Sequence, residues 1–246
     1  MRLELLGTGG THPSSERHTA CVLLPELGLM LDAGTATFRV RSRPLSRERL
    51  DVVLTHGHLD HVVGLTYLFG LERDSKPVET VIHASDATLD AVRDHLLATA
   101  LFPIQPFTRC EPLCGTLSVG DATITTFPLD HPGGSIGLRI DAHGESVAYV
   151  TDTRRVTEST LDAIRGVDLL LHEAHFDAAN AELSVETGHC TSLDAAWAAD
   201  QAGVGRLLML HANPRAEPAV LARAVEEARS IRPEADYAID EQVVVL

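Results

Sequence analysis

The stretch that most restricts what this chain can fold into is His56-Gly-His58-Leu-Asp60-His61, where three imidazoles and one carboxylate fall within six positions. It follows directly on Asp51-Val-Val-Leu-Thr55, which reads as a short buried strand. In extended backbone alternate side chains point the same way, so His56, His58 and Asp60 converge on one side while His61 turns off beside them. Gly57 lacks a Cβ and allows the tight bend that brings the imidazoles together. Residues 62–69 then read as a mostly apolar buried helix. Histidine supplies only 13 of 246 residues, so a merely polar loop explains this clustering poorly. Imidazole with carboxylate is the ligand set of zinc and its first-row neighbours.

The rest of the chain bounds the context of such a site. With 44% hydrophobic and 22% charged residues, the 246 positions suit one soluble domain, residues 1–246, with a sizeable core. No apolar run approaches the ~20 residues of a membrane span, and the glycine-broken start reads as a strand and turn, so the expectation is a cytoplasmic protein off the membrane. Cys21, Cys110, Cys114 and Cys190 are too few and scattered for a disulfide framework and are read as reduced thiols. A formal net charge of −15 opposes binding to a polyanion, so a phosphate-bearing substrate must be drawn in locally, at bound metal. Five arginines lie within residues 39–49, but Glu48 and Asp51 beside them favour a solvated connection over a nucleic-acid patch.

Taken in order, residues 2–6, 20–24 and 28–32 form an opening antiparallel meander. Asp32 at its end either orients a ligand imidazole or makes an Asx turn. Residues 78–83 read as a strand and 86–97 as a helix capped by Ser85 or Asp86, while the proline-containing residues 98–115 read as loop. His83 and His95 are assigned to structure. Residues 121–127 return to strand and end at His131 in a glycine-rich turn, and residues 135–140 and 146–150 form a hairpin that delivers Asp152, placed to bridge two ions. Residues 161–165 read as a short helix. The apolar strand 167–171 ends in His172-Glu173-Ala-His175, and the strand 206–210 ends in His211. His189 precedes a helix at 192–202, a last helix spans 214–231, and strands at 237–239 and 243–246 close the chain. Almost every candidate ligand stands at the carboxyl end of a strand. The expected architecture is therefore two sheets packed face to face, helices outside, and a site at one common edge.

With these residues in view, the chain resembles the metallo-β-lactamase superfamily, whose histidine-aspartate loop matches His56, His58, Asp60 and His61, and whose later positions match His131, Asp152 and His211. Within it the resemblance is to the ribonuclease Z group of phosphodiesterases, through Leu6-Gly-Thr-Gly9, Asp32-Ala-Gly34, Leu171-His-Glu-Ala174 and Gly188-His-Cys-Thr191. The resemblance implies an α/β fold, a four-layer αββα sandwich of two mixed sheets flanked by helices. It implies two divalent ions, zinc first with Mn2+ or Fe2+ as alternatives. One would be held by His56, His58, His131 and Asp152, the other by Asp60, His61, Asp152 and His211. A water or hydroxide bridging them would be the nucleophile, oriented or deprotonated by Asp60. Glu173 and His189 would form a pair in which the histidine protonates the leaving oxygen, an arrangement worth ~10² to 10⁴ in rate.

The chain departs from the group in one respect. Enzymes that process precursor tRNA carry a basic arm between the equivalents of His131 and Asp152, and here a compact hairpin joins those residues. Cys21 with His12 and His18 also falls short of the cysteine-rich N-terminal zinc site of a related phosphodiesterase group. The expected activity is hydrolysis of a small or cyclic phosphodiester, not of a large folded nucleic acid. The alternatives are acyl hydrolysis of a lactone, thioester or β-lactam, and ribonuclease Z-like RNA processing. The pair Glu173 and His189 favours the phosphodiester, because a metal-bound carbonyl substrate has less need of an external acid. A homodimer is the oligomer the resemblance suggests.

Overall fold

The structure, a computed structural model, describes residues 1–46, 48–73 and 76–246, without the side chains of residues 73, 76 and 77. Two seven-stranded sheets dominate it. The first runs in spatial order Gln242–Val245, Arg2–Gly7, Cys21–Leu24, Leu29–Leu31, Arg49–Val53, Glu79–Ala84, Arg109–Pro112. Its pairings are antiparallel up to Leu29–Leu31 and parallel beyond. The second runs Asp236–Tyr237, Arg206–Leu210, Leu169–Glu173, Glu145–Val150, Ser135–Ala142, Ala122–Leu129, Thr116–Val119, parallel in its first three pairings and antiparallel in the rest.

Strand alternation makes the layers. In Glu145–Val150, Val147 and Tyr149 join Leu3, Leu5, Leu29 and Leu31 of the other sheet in the central core, while Ala148 and Val150 face outward onto Ala195, Ala198 and Ala199. Leu169 and Leu171 likewise point inward and Leu170 outward, and all three are fully buried. A strand covered on both faces needs apolar residues at every position, which is why this one reads as a continuous leucine run. Outside the first sheet, Leu6, Met30, Val52 and Ile82 pack on Ala36, Val40, Leu65 and Leu89 from the flanking helical segments. Helix, sheet, sheet, helix is the αββα sandwich.

Several local expectations are corrected. Residues 62–69 are not one α-helix but an α-turn, Leu59–Val62, followed by a 3-10 helix, Val63–Leu68. The Gly64 N–H donates to Ala33 O at 2.8 Å instead of to its own helix, and a Cβ at Gly64 would stand 2.0 Å from Gly34 O, so the segment is pinned to the turn at Ala33 and Gly34. The helix at 86–97 is α only over Asp86–Ala91, capped by Ser85, and passes into a π turn at Val92–Leu96. Residues 98–115 are not all loop: Arg109–Pro112 adds an edge strand, where a terminal proline costs no ladder bond. The last helix starts at Pro218, with Glu217 before it, four residues later than its pattern suggests. An unexpected helix, Ala181–Thr187, ends on Gly188, whose φ of +85° makes the left-handed stop.

The arginine-rich connection is less solvated than expected. Arg39 pairs with Asp240 at 2.6 Å, Arg43 with Glu4 at 3.2 Å, and Arg49 grips Asp51 through Nε at 2.9 Å. Arg47 lies outside the described residues. Of the two lone histidines, His83 is structural as expected, its Nε2 donating to Asp51 at 2.7 Å, while His95 lies exposed on the surface. No helix among the described residues is long and apolar enough to cross a membrane.

Candidate metal centre

The parallel pairings and the intervening hairpin make Leu29–Leu31, Arg49–Val53, Ala122–Leu129, Glu145–Val150, Leu169–Glu173 and Arg206–Leu210 deliver their carboxyl ends to one edge of the sandwich. At or just beyond those ends stand Asp32, His56, His131, Asp152, Glu173 and His211. Donor atoms of His56, His58, His131 and Asp152 lie within 4.8 Å of one another, and so do those of Asp60, His61 and His211. Asp152 faces both groups. Its Oδ1 is 3.3 Å from His61 Nε2 and 3.2 Å from His211 Nε2, while its Oδ2 is 3.7 Å from Nε2 of both His56 and His131. One carboxylate oxygen thus faces each cluster.

The hydrogen bonds behind these side chains fix which atoms face inward. His61 donates from Nδ1 to Asp32 Oδ2 at 2.8 Å, and His131 donates from Nδ1 to Gly188 O at 2.7 Å, so Nε2 of both rings faces the cluster. Asp32 accepts in addition from Thr55 N at 2.8 Å and from Tyr149 OH at 2.9 Å, across the two sheets. Of the two readings of Asp32, the hydrogen bonds match the one in which it orients an imidazole, that of His61. Thr55 Oγ1 also meets His56 Nδ1 at 3.0 Å. Neither Tyr149 nor Thr55 carries a sequence signal for this work, since each reads as an ordinary strand residue.

Whether these residues suit metal ions is tested by what remains unpaired. His56 Nε2 is buried without a hydrogen-bond partner, His131 Nε2 lies 3.1 Å from His58 Nδ1, and His61 Nε2 lies 3.4 Å from His211 Nε2. Unmet nitrogens crowded on buried carboxylates call for positive charge among them. Burial lowers the pKa of His61, but Asp152, Asp32 and Asp60 outweigh it and raise the pKa well above the ordinary value; burial opposes ionisation of Asp152, yet His211, His61 and His56 hold its pKa far down. The donor set fits a pair of divalent ions. Gly10 closes one side so tightly that a Cβ there would lie 2.4 Å from the His211 ring, and the Thr11 N–H donates to Asp60 Oδ2 at 2.7 Å.

Glu173 and His189 stand beside this cluster. His189 donates from Nδ1 to Glu173 Oε1 at 2.9 Å, and its ring centroid is 5.2 Å from those of both His131 and His211. Fully buried Glu173 also accepts from Thr153 N at 2.8 Å, His175 N at 3.2 Å and Cys190 N at 3.3 Å. Burial alone would raise the Glu173 pKa, but the charge and hydrogen bond of His189 bring it below the ordinary value. Burial likewise lowers the His189 pKa, but Glu173 overrides it and, with Asp152 and Asp60, raises it to about 9. His175, to which the sequence assigned no role, donates from Nδ1 to His211 O at 3.0 Å and stacks on His189 with centroids 4.5 Å apart. By contrast His12 bonds to Pro13 O and His18 to Thr35 Oγ1, and no metal-holding group forms around Cys21 among the described residues.

Comparison with known proteins agrees with this geometry. The family model described as the β-lactamase superfamily domain matches residues 29–212. Ribonuclease Z of Synechococcus sp. (strain WH7803) is 29% identical, covering 95% of this chain and 92% of its own length; the alignment spans 303 positions, so that relative holds residues this chain lacks. The probable metallo-hydrolase YhfI of Bacillus subtilis is 29% identical over 224 residues, 86% of each chain. Its crystal structure superposes with a TM-score of 0.85 at 23% identity over 99% of both chains, and that of the short form of human tRNase Z with 0.76 at 22% identity over 100% and 99%. Strand order, an edge-built histidine and aspartate cluster and the matching family model together place the chain: it belongs to the metallo-β-lactamase superfamily of metal-dependent hydrolases, among its ribonuclease Z-like members.

Proposed function

We propose that this protein is a dinuclear metal-dependent phosphodiesterase that hydrolyses a small or cyclic phosphodiester, with zinc as its metal. His56, His58, His131 and Asp152 would hold one ion and Asp60, His61, Asp152 and His211 the other. Bound there, the ions supply Lewis acidity toward a phosphoryl oxygen and a water acidic enough to attack near neutral pH. The chain's own residues do the rest. Asp32, clamped by Tyr149 and Thr55, keeps the His61 ring aimed. Asp60, positioned by the Thr11 N–H, orients the attacking water and takes its proton. His189, kept protonated by Glu173, gives its proton to the departing alkoxide oxygen as the P–O bond breaks, while Glu173 stays ionised.

The observation that carries this reading is the Glu173–His189 pair. A carboxylate held by four donors and spent on one imidazole beside the ligand cluster is machinery for a leaving group that needs a proton. The name of the ribonuclease Z relative, an enzyme of phosphodiester cleavage, agrees with it. Processing of a folded tRNA is disfavoured by the tight hairpin between His131 and Asp152, which turns on His143 and Gly144, both at positive φ. The test is a hydrolysis screen of the metal-loaded protein against a small phosphodiester, a cyclic phosphodiester, a phosphomonoester, a lactone and a thioester. Turnover confined to the diesters is expected; faster turnover of the lactone or thioester would replace this reading with the acyl hydrolase.

A further inference from the structure

A cavity of about 440 Å³ opens directly beside His189, within the range of small-molecule sites. His175, Phe176, Leu183, Pro214 and Arg215 line it together with His189. Most of this wall is apolar. Leu183, on the Ala181–Thr187 helix, leaves 44% of its surface open, which an apolar ligand in the cavity would cover. His175 is locked against His211 and His189, so this wall is firm.

Arg215 stands apart from the other arginines around the site. The side chain is exposed, and no carboxylate lies within ion-pair distance of it among the described residues, in a chain with 35 acidic and 20 basic residues. Arg154, by comparison, is paired with Asp130, and Arg223 with Asp177. The turn that presents Arg215 is fixed by its own N–H, donated to Asn213 Oδ1 at 2.9 Å. A cation left free at the end of an apolar cavity, on a strongly acidic protein, is suited to an anion that the general field would otherwise repel. At the other ligand group, against His56, His58 and Gly133, the space is only about 130 Å³.

We propose that the cavity beside His189 receives the leaving alcohol of the diester, and that this alcohol has an apolar body and carries a second anionic group, phosphate or carboxylate, which Arg215 binds. This rests on the phosphodiesterase reading and deepens it. His189 protonates the leaving oxygen, so whatever lies immediately beyond His189 contacts the departing group. The retained ester substituent is then small, in keeping with the narrower space at His58.

The test uses the metal-loaded full chain with methyl phosphodiesters of one phenylalkanol, either unsubstituted, carrying a carboxylate, or carrying a phosphate. An anionic leaving group should raise kcat/KM about tenfold over the neutral one, and Arg215→Ala should bring the ratio close to one, with Arg215→Lys between. The anion with the larger ratio identifies the source. Leu183→Glu, which adds a negative charge to the same wall, should also cut the ratio, and the anionic product alcohols should bind Arg215→Ala more weakly by calorimetry. Equal kcat/KM for all three diesters, or a ratio that Arg215→Ala leaves intact, overturns the inference while the phosphodiesterase reading stands. Absence of diester turnover alongside lactone or thioester hydrolysis overturns both.

Discussion

At the scale of single residues, Asp60 would both hold an ion and take a proton, but the bridging carboxylate and the acid at the leaving group are different residues and should fail differently. Asp152 presents one oxygen to each donor group, so Asp152→Ala should bind neither ion well, whereas His211→Ala should chiefly weaken the one it shares with Asp60 and His61; metal content after dialysis distinguishes the two. Donor atoms of His189 also lie close to those of Asp152 and His211, but its Nδ1 is committed to Glu173, and the proposed role is that of an acid. His189→Ala should keep both ions but lose ~10² or more in kcat on an alkoxide-like leaving group, with a much smaller loss on a nitrophenolate, which departs unprotonated. The pH dependence follows in sign. An acid raised to about 9 is protonated at neutrality and lost as pH rises, so the alkoxide substrate should show an alkaline limb at or below about 9, since bound cations pull that pKa down. Equal pH profiles for both substrates would remove His189 from this role.

At the scale of elements, the arrangement depends on segments that approach too closely for any side chain. The turn after Arg2–Gly7 lays Gly10 against the His211 ring, and the same turn holds Thr11 at a φ of 61°, a left-handed value costly for a β-branched residue. Its N–H nevertheless reaches Asp60. Gly10→Ala should therefore push His211 out of line, lowering ion occupancy and activity about tenfold or more with a change in thermal midpoint of only a few degrees. A variant with wild-type metal content would show that the turn yields without disturbing the ring. Helices behave similarly: Gly188 stops Ala181–Thr187 and offers the carbonyl that orients His131, so one residue ends an element and aims a candidate ligand.

At the scale of the whole molecule, charge and topology bear on the substrate. Gripping a folded RNA outside the active site takes several Lys or Arg contacts to phosphate, and affinity of that kind falls steeply with salt. Among the described residues of the arginine-rich stretch, Arg39, Arg43 and Arg49 are committed to Asp240, Glu4 and Asp51, which leaves less of it to substitute for a basic arm. With the same metal-loaded preparation, kcat/KM for a precursor tRNA should fall below that for a small or cyclic diester. The small-diester reaction should also change little between low and moderate salt. Accurate tRNA cleavage at higher efficiency would restore the full ribonuclease Z activity to this chain.

What the sequence by itself determined is what local pattern encodes. Continuous apolar runs placed buried strands at Leu169–Glu173 and Glu145–Val150, and candidate ligands adjacent in sequence or terminal to a strand, His56 through His211, were legible because a strand end fixes position and direction together. The layer order followed from the same patterns. The tertiary structure decided what depends on segments distant in sequence. Tyr149 serves Asp32 across 117 positions, Thr11 serves Asp60 across 49, and neither contact has a periodic signature. The same holds where tertiary bonds override local ones: the Gly64 N–H taken by Ala33 turns an apparent α-helix into a 3-10 segment, and pairing with Glu79–Ala84 turns part of an apparent loop into an edge strand. The cavity at His175 and Arg215 exists only because strand ends and a helix meet there, and its shape belongs to no single stretch of chain.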